Sequence, residues 1–173
     1  MLRERGFTLV ELSIVMVVMA ILITIGMVSL SSSQKDARDK ARTTTVDTIA
    51  RGLESFYNGD ATGTVGAKGG VYPASDQMLA SATDKTTKQI LPGLNDSAYY
   101  YPFQGDTPAL QARSASNSLT SSSSSVNIII YEPLTRSNTL CTTASSMECS
   151  QFKLYYRLES APSTIITVQS NRR

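Results

Sequence analysis

The chain has 173 residues, 16 basic and 14 acidic, for a net charge of +2, and it contains neither histidine nor tryptophan. That length suits one domain plus an N-terminal element, and the balanced charge is not a polyanion-binding composition. Histidine is the usual general base near neutral pH and the commonest metal ligand, so its absence removes most hydrolase and metalloenzyme chemistry.

The first element is apolar. Residues 7–30 read FTLVELSIVMVVMAILITIGMVSL and carry one charge, Glu11. As a helix this run is about 36 Å long, enough to cross a bilayer core of about 30 Å. A secretory signal would end in a small-residue cleavage site, whereas Leu30 leads into SSSQKDARDKAR. The apolar segment is therefore expected to stay in the mature protein. A carboxylate inside hydrocarbon costs about 2.5–3.5 kcal/mol, so Glu11 either reaches the interface or is kept for a partner. Basic residues flank both ends (Arg3 and Arg5 before, Lys35, Arg38, Lys40 and Arg42 after), and the positive-inside rule taken alone favours the opposite orientation to N-in, or neither.

The short leader MLRERG, the Gly6–Phe7 junction and the block Phe7-Thr8-Leu9-Val10-Glu11-Leu12, all at the N-terminus of a long apolar helix, resemble the class III signal of type IV pilins and pseudopilins. The resemblance implies cleavage between Gly6 and Phe7 by a prepilin peptidase on the cytoplasmic side. It implies N-methylation of the new N-terminus, Phe7. It also implies an assembly role for Glu11, whose carboxylate would neutralise the Phe7 amine of a neighbouring subunit. An amine and a carboxylate are each costly in a low-dielectric setting and much less so as a pair. Losing the leader leaves 14 basic and 13 acidic residues, a net charge of +1. An N-in, C-out orientation follows from the resemblance. The family often has Pro at the position of Val28 and Gly at that of Ala20; here the helix-weakening residues are Gly26 and Ser29.

Beyond Leu30 the helical pattern continues. Ala37, Ala41, Val46, Ile49, Leu53, Phe56 and Tyr57 form an apolar stripe, most regular from Val46 onward. The pairs Lys35/Asp39, Asp36/Lys40 and Asp47/Arg51 stand at i,i+4 on the other face, and Asn58-Gly59 reads as a stop. Residues 59–70 hold five glycines and read as a loop without the Gly-Lys-Ser/Thr ending of a phosphate loop. After Tyr72-Pro73, a short helix is expected from Ala74-Ser75-Asp76 to about Ala82, and Tyr99-Tyr100-Tyr101 reads as a short strand. Serine-rich residues 114–125 read as an exposed loop. Strands are expected over 126–132, 151–158 and 164–168, the second alternating with Phe152, Leu154, Tyr156 and Leu158 on one face.

Cys141 and Cys149 fall between the first two of these strands. Their spacing does not match a zinc site. Two readings stand: separate reduced thiols, or a local disulfide in an oxidising compartment, which is preferred.

The expected fold class is α+β. A long N-terminal helix, membrane-spanning in its first half, packs on an antiparallel sheet of three to four strands, the lollipop layout that the pilin resemblance implies. The expected divisions are a leader at 1–6, a transmembrane and filament-core helix at 7–30, its continuation into the head at 31–58, and a globular head with a disulfide loop at 59–173. The expected function is structural: a major pilin assembled through its N-terminal helix into a surface filament for adhesion or twitching motility. The implied partners are further copies in a helical filament, prepilin peptidase, the pilus assembly platform protein and its ATPase, the cytoplasmic membrane and a surface or host cell. No cofactor and no nucleic acid are expected. Alternatives are a pseudopilin of a type II-like secretion system and a minor or competence pilin in DNA uptake, the latter resting on the terminal Arg172-Arg173, which otherwise reads as a solvated tail. A membrane-anchored enzyme, a reading from another class, lacks a recognisable nucleophile motif or metal cluster.

Overall fold

The computed structural model describes residues 8–59, 69–79, 91, 110–113, 126, 128–143 and 148–172. The chain divides after Arg38 into two compact units. The helix α1, Leu9–Asn58, runs through both and is unbroken at Gly26. The leader, Gly6, Phe7, the strand expected at Tyr99-Tyr100-Tyr101, the serine-rich stretch 114–125 and Arg173 lie outside the described residues.

In the N-terminal unit the apolar side chains of α1 are exposed around the whole circumference, Leu9 by 84% and Met27 by 68%. The helix is long and apolar enough to cross a membrane. Two hydroxyls within the apolar run turn inward on the backbone: Ser13 Oγ donates to the Val10 carbonyl and Thr24 Oγ1 to the Ala20 carbonyl, both at 2.8 Å. Such back-bonding hides a hydroxyl in an apolar segment.

In the C-terminal unit α1 buries one stripe: Asp39, Arg42, Val46, Ile49, Leu53 and Phe56, spaced by three and four. This corrects the expected stripe at its start. Ala37 and Ala41 are exposed, and the buried face opens with two charged residues instead. The expected Lys35/Asp39 surface pair is corrected too, because the Asp39 carboxylate is buried. Its oxygens accept from the Glu159 N–H (2.8 Å), the Ser160 N–H (3.0 Å) and the Ser160 hydroxyl (2.7 Å), and Arg42 Nη1 lies at 3.2 Å. Period alone assigns faces but cannot anticipate that a distant turn supplies donors to a carboxylate. The threonines of this stretch, weak helix formers, bond their own i−4 carbonyls through Thr43, Thr44, Thr45 and Thr48. The stop falls where Asn58-Gly59 places it. Gly59 takes φ +78°, and its N–H reaches the Phe56 carbonyl at 3.1 Å, the left-handed cap that glycine adopts at least cost.

The sheet has four strands in the order β1-β2-β3-β4: Leu110–Ala112, Ile129–Leu134, Gln151–Tyr156 and Ile166–Gln169. β2–β3 and β3–β4 are antiparallel, in registers such as Tyr131↔Leu154 and Leu154↔Val168. β1 pairs parallel with β2, Leu110 against Ile129, so the sheet is mixed rather than wholly antiparallel. Three residues, Leu-Gln-Ala, carry too little pattern to announce a strand. β2 also runs on through Pro133. That residue lies beyond the last β1 partner, Tyr131, and its carbonyl accepts from Cys141 N–H at 2.9 Å, so no neighbouring strand needs the missing N–H.

One sheet face meets the helical stripe. Tyr131, Phe152 and Leu154 are fully buried beside Ile49, Leu53 and Phe56 in one core, with Ile166 and Val168 at its margin. Tyr72 packs edge-on to Phe152 (centroids 5.0 Å) and donates its hydroxyl to Glu54 of α1 at 2.9 Å. Burial and that bond to Glu54 push the phenol far above its ordinary range. Tyr131 donates to the Pro73 carbonyl at 2.7 Å. On the other face, Glu132 is satisfied by Arg113 and by the Tyr155 hydroxyl.

Cys141 and Cys149 are joined in a buried disulfide with Cα atoms 5.7 Å apart. Their carbonyls accept from Ser75 N–H (3.0 Å) and Tyr72 N–H (2.7 Å), which docks the segment leading into α2, Ser75–Leu79. The expected end of α2 near Ala82 lies outside the described residues. At the C-terminus, Arg172 is no solvated tail. Its Nη2 donates to Asn58 Oδ1 at 2.7 Å, its Nε stands 3.6 Å from Glu54, and its guanidinium lies 4.2 Å from the Tyr57 ring centroid.

Two outcomes follow for the full chain in detergent, read from the near-ultraviolet tyrosine signal of the head. Burial opposes the charge of Asp39, but the donors of Ser160 and Glu159 and the Arg42 charge outweigh it and hold the carboxyl below its ordinary range. A lowered folded value means stability fully present above the unfolded value, about 3.9, and lost as pH falls through the folded one. Asp39→Asn should cost about 1–3 kcal/mol at pH 7 and flatten the acid limb below about pH 4; an unchanged limb counts against the clasp. Replacing Cys141 and Cys149 by serine should cost about 2–3 kcal/mol, lowering the melting temperature by roughly 10 °C.

Candidate functional site: the head of the apolar helix

The first turn of α1 has four main-chain N–H groups with no helical partner, in a segment with little polar chemistry to offer. Thr8 and Glu11 supply what is missing. Thr8 is the cap residue: its carbonyl accepts the first helical bond, from Leu12 N–H at 3.3 Å, and its Oγ1 accepts from the Glu11 N–H at 3.2 Å. Glu11 reaches back, and its Oε2 accepts both the Thr8 N–H and the Thr8 hydroxyl at 2.9 Å. This is a reciprocal capping box, the Thr-x-x-Glu pattern of Thr8-Leu9-Val10-Glu11. The carboxylate also stands at the positive end of the helix dipole.

The arrangement divides the carboxylate in two. Oε2 is occupied by the cap, while Oε1 makes no hydrogen bond among the described residues. The group is thus held in place by its own chain and still presents an acceptor to a cation. Of the residues expected at this site, the structure places Glu11; Gly6 and Phe7, immediately before Thr8, lie outside the described residues. The sequence reading missed Thr8, although the Thr-x-x-Glu spacing was there to find. Apolar side chains surround the cap: Leu9, Val10 and Leu12 are all exposed. Elsewhere, no three His, Cys, Asp or Glu side chains among the described residues are grouped to hold a metal ion.

The description of the prokaryotic N-terminal methylation motif matches residues 1–27. The type IV narrow pilus major component PilA5 of Thermus thermophilus is 37% identical over 86 residues, which is 50% of this chain and 66% of that protein, just under two thirds of its length. No solved structure matches the chain significantly. The methylation motif covers the capped head of the apolar helix, and the chain is similar to a type IV pilin over half of its length.

Proposed function

We propose that this protein is a type IV pilin, the major subunit of a type IV pilus. The observation that carries the reading is the helix from Leu9 to Leu30, apolar and exposed on every side and headed by a capped carboxylate. A helix apolar all round needs a continuous apolar surrounding, which lipid supplies before assembly and neighbouring helices supply after it. The similarity to a protein described as a pilus major component supports the major over the minor role.

In this reading prepilin peptidase cuts between Gly6 and Phe7 and methylates the Phe7 amine. The subunit then waits in the cytoplasmic membrane with its N-terminus inside. A platform protein and its ATPase extract it into the filament, where Oε1 of Glu11 receives the Phe7 amine of a neighbour. Pairing rewards the correct axial register and penalises a slipped subunit, which leaves both charges unmatched. The competence reading loses ground, because Arg172, one of the two arginines it rests on, is engaged with Glu54, Asn58 and Tyr57.

Glutamine at position 11 separates charge from cap, since Gln also completes a capping box. Glu11→Gln should insert and be cleaved normally yet lower the fibre yield in sheared surface fractions by at least about tenfold, the effect of about 1.4 kcal/mol. Glu11→Ala should be at least as severe. Normal fibres from the Gln variant would reduce Glu11 to a helix cap, and absence of surface fibres in the parent strain would favour a pseudopilin. The intact mass of the purified mature chain should correspond to a start at Phe7, one methyl group and two hydrogens fewer than the dithiol; a start at Met1 overturns the processing scheme.

A further inference from the structure

Among the described residues β4 is the outer strand of the sheet and pairs on one side only, with β3. The Ser170 N–H donates to the Phe152 carbonyl at 3.0 Å, which fixes the alternation of the ladder. Val168 and Ile166 are then the residues that exchange bonds with β3, while the N–H and C=O groups of Ile165, Thr167 and Gln169 point away from β3, to a side where no described residue pairs with them. Thr167 and Gln169 are exposed, and Ile165 is 40% exposed. Folded proteins usually guard such an edge with a charge, a proline, a bulge or a covering segment. From Ser163 to Asn171 the chain reads STIITVQSN, with no charge, no proline and no glycine. It is β-branched and uncharged, the composition that pairs readily with another strand.

We propose that this edge pairs with the same edge of a second copy of this chain, antiparallel about a two-fold axis at Thr167. In that register Thr167 faces Thr167 and the two exchange both main-chain bonds, Ile165 faces Gln169, and Ile166 faces Val168. The two sheets become one of eight strands. A two-fold contact requires a surface complementary to itself, and a charge near the axis would meet its own copy. β4 has none. An uncharged edge also has no means of selecting a foreign strand by sign, whereas opposed β-branched pairs are favourable in themselves. The pairing is independent of the function proposed for the N-terminal helix.

Cysteine scanning of the full chain in detergent tests the register under mild copper-catalysed air oxidation. Thr167→Cys should give a covalent dimer at least about tenfold faster than Asp47→Cys, an exposed helix position, because antiparallel partners lie about 5.5 Å apart at Cα. Ile165→Cys alone should crosslink poorly, since its two copies would be about 13 Å apart, but should pair efficiently when mixed with Gln169→Cys. Retention of the Cys141–Cys149 bond by mass confirms that each variant is folded. Thr167 yields no higher than those of Asp47, or equal yields from Ile165 alone and from the mixture, overturn the proposal.

Discussion

A helix can bury one face against a sheet; it cannot bury its whole circumference there. The two stretches of α1 fall on opposite sides of that limit. From Val46 to Phe56 the apolar residues keep to one line, and Tyr131, Phe152 and Leu154 close over it. From Leu9 to Leu30 they occupy every direction and stand exposed, with none of them in the buried core formed by the described residues. The described core of the head thus closes over the second stretch, while the first stretch leaves its apolar circumference exposed.

Polar groups obey the same economy. A carboxylate persists in an unfavourable place when donors converge on it. Glu11 is held by Thr8, Asp39 by Ser160, Glu159 and Arg42, and Glu132 by Arg113 and Tyr155. In the last two cases the donors other than Arg42 come from elements far away in the sequence, and their bonds fix how a turn or strand sits. At Glu11 the donors are three residues away, so the cap fixes only its own helix and leaves part of the carboxylate uncommitted.

What could be read from the sequence tracks how local its cause is. The apolar run, the stop at Asn58-Gly59, the stripe from Val46 and the alternation of Phe152, Leu154 and Tyr156 are set by neighbours within a few residues, and all appear in the structure. Elements set by distant partners were not legible. β1 exists because β2 offers it an edge, Asp39 is buried because residues 159–160 return to it, and Arg172 is anchored because the helix ends beside it. Thr8 is the exception: its capping role is set by the local Thr-x-x-Glu spacing, in the same four residues that carry the charge of Glu11.

The two carbonyls that receive Tyr72 and Ser75 belong to the two bridged cysteines. Their spacing is therefore set by a covalent bond rather than by a strand. Docking of this segment brings Tyr72 against Phe152 and Glu54, and Pro73 under the Tyr131 hydroxyl. The bridge thus bears on more than its own loop: without it the two carbonyls lose their fixed spacing, and the docking that seats Tyr72 and Pro73 in the aromatic centre of the head is weakened.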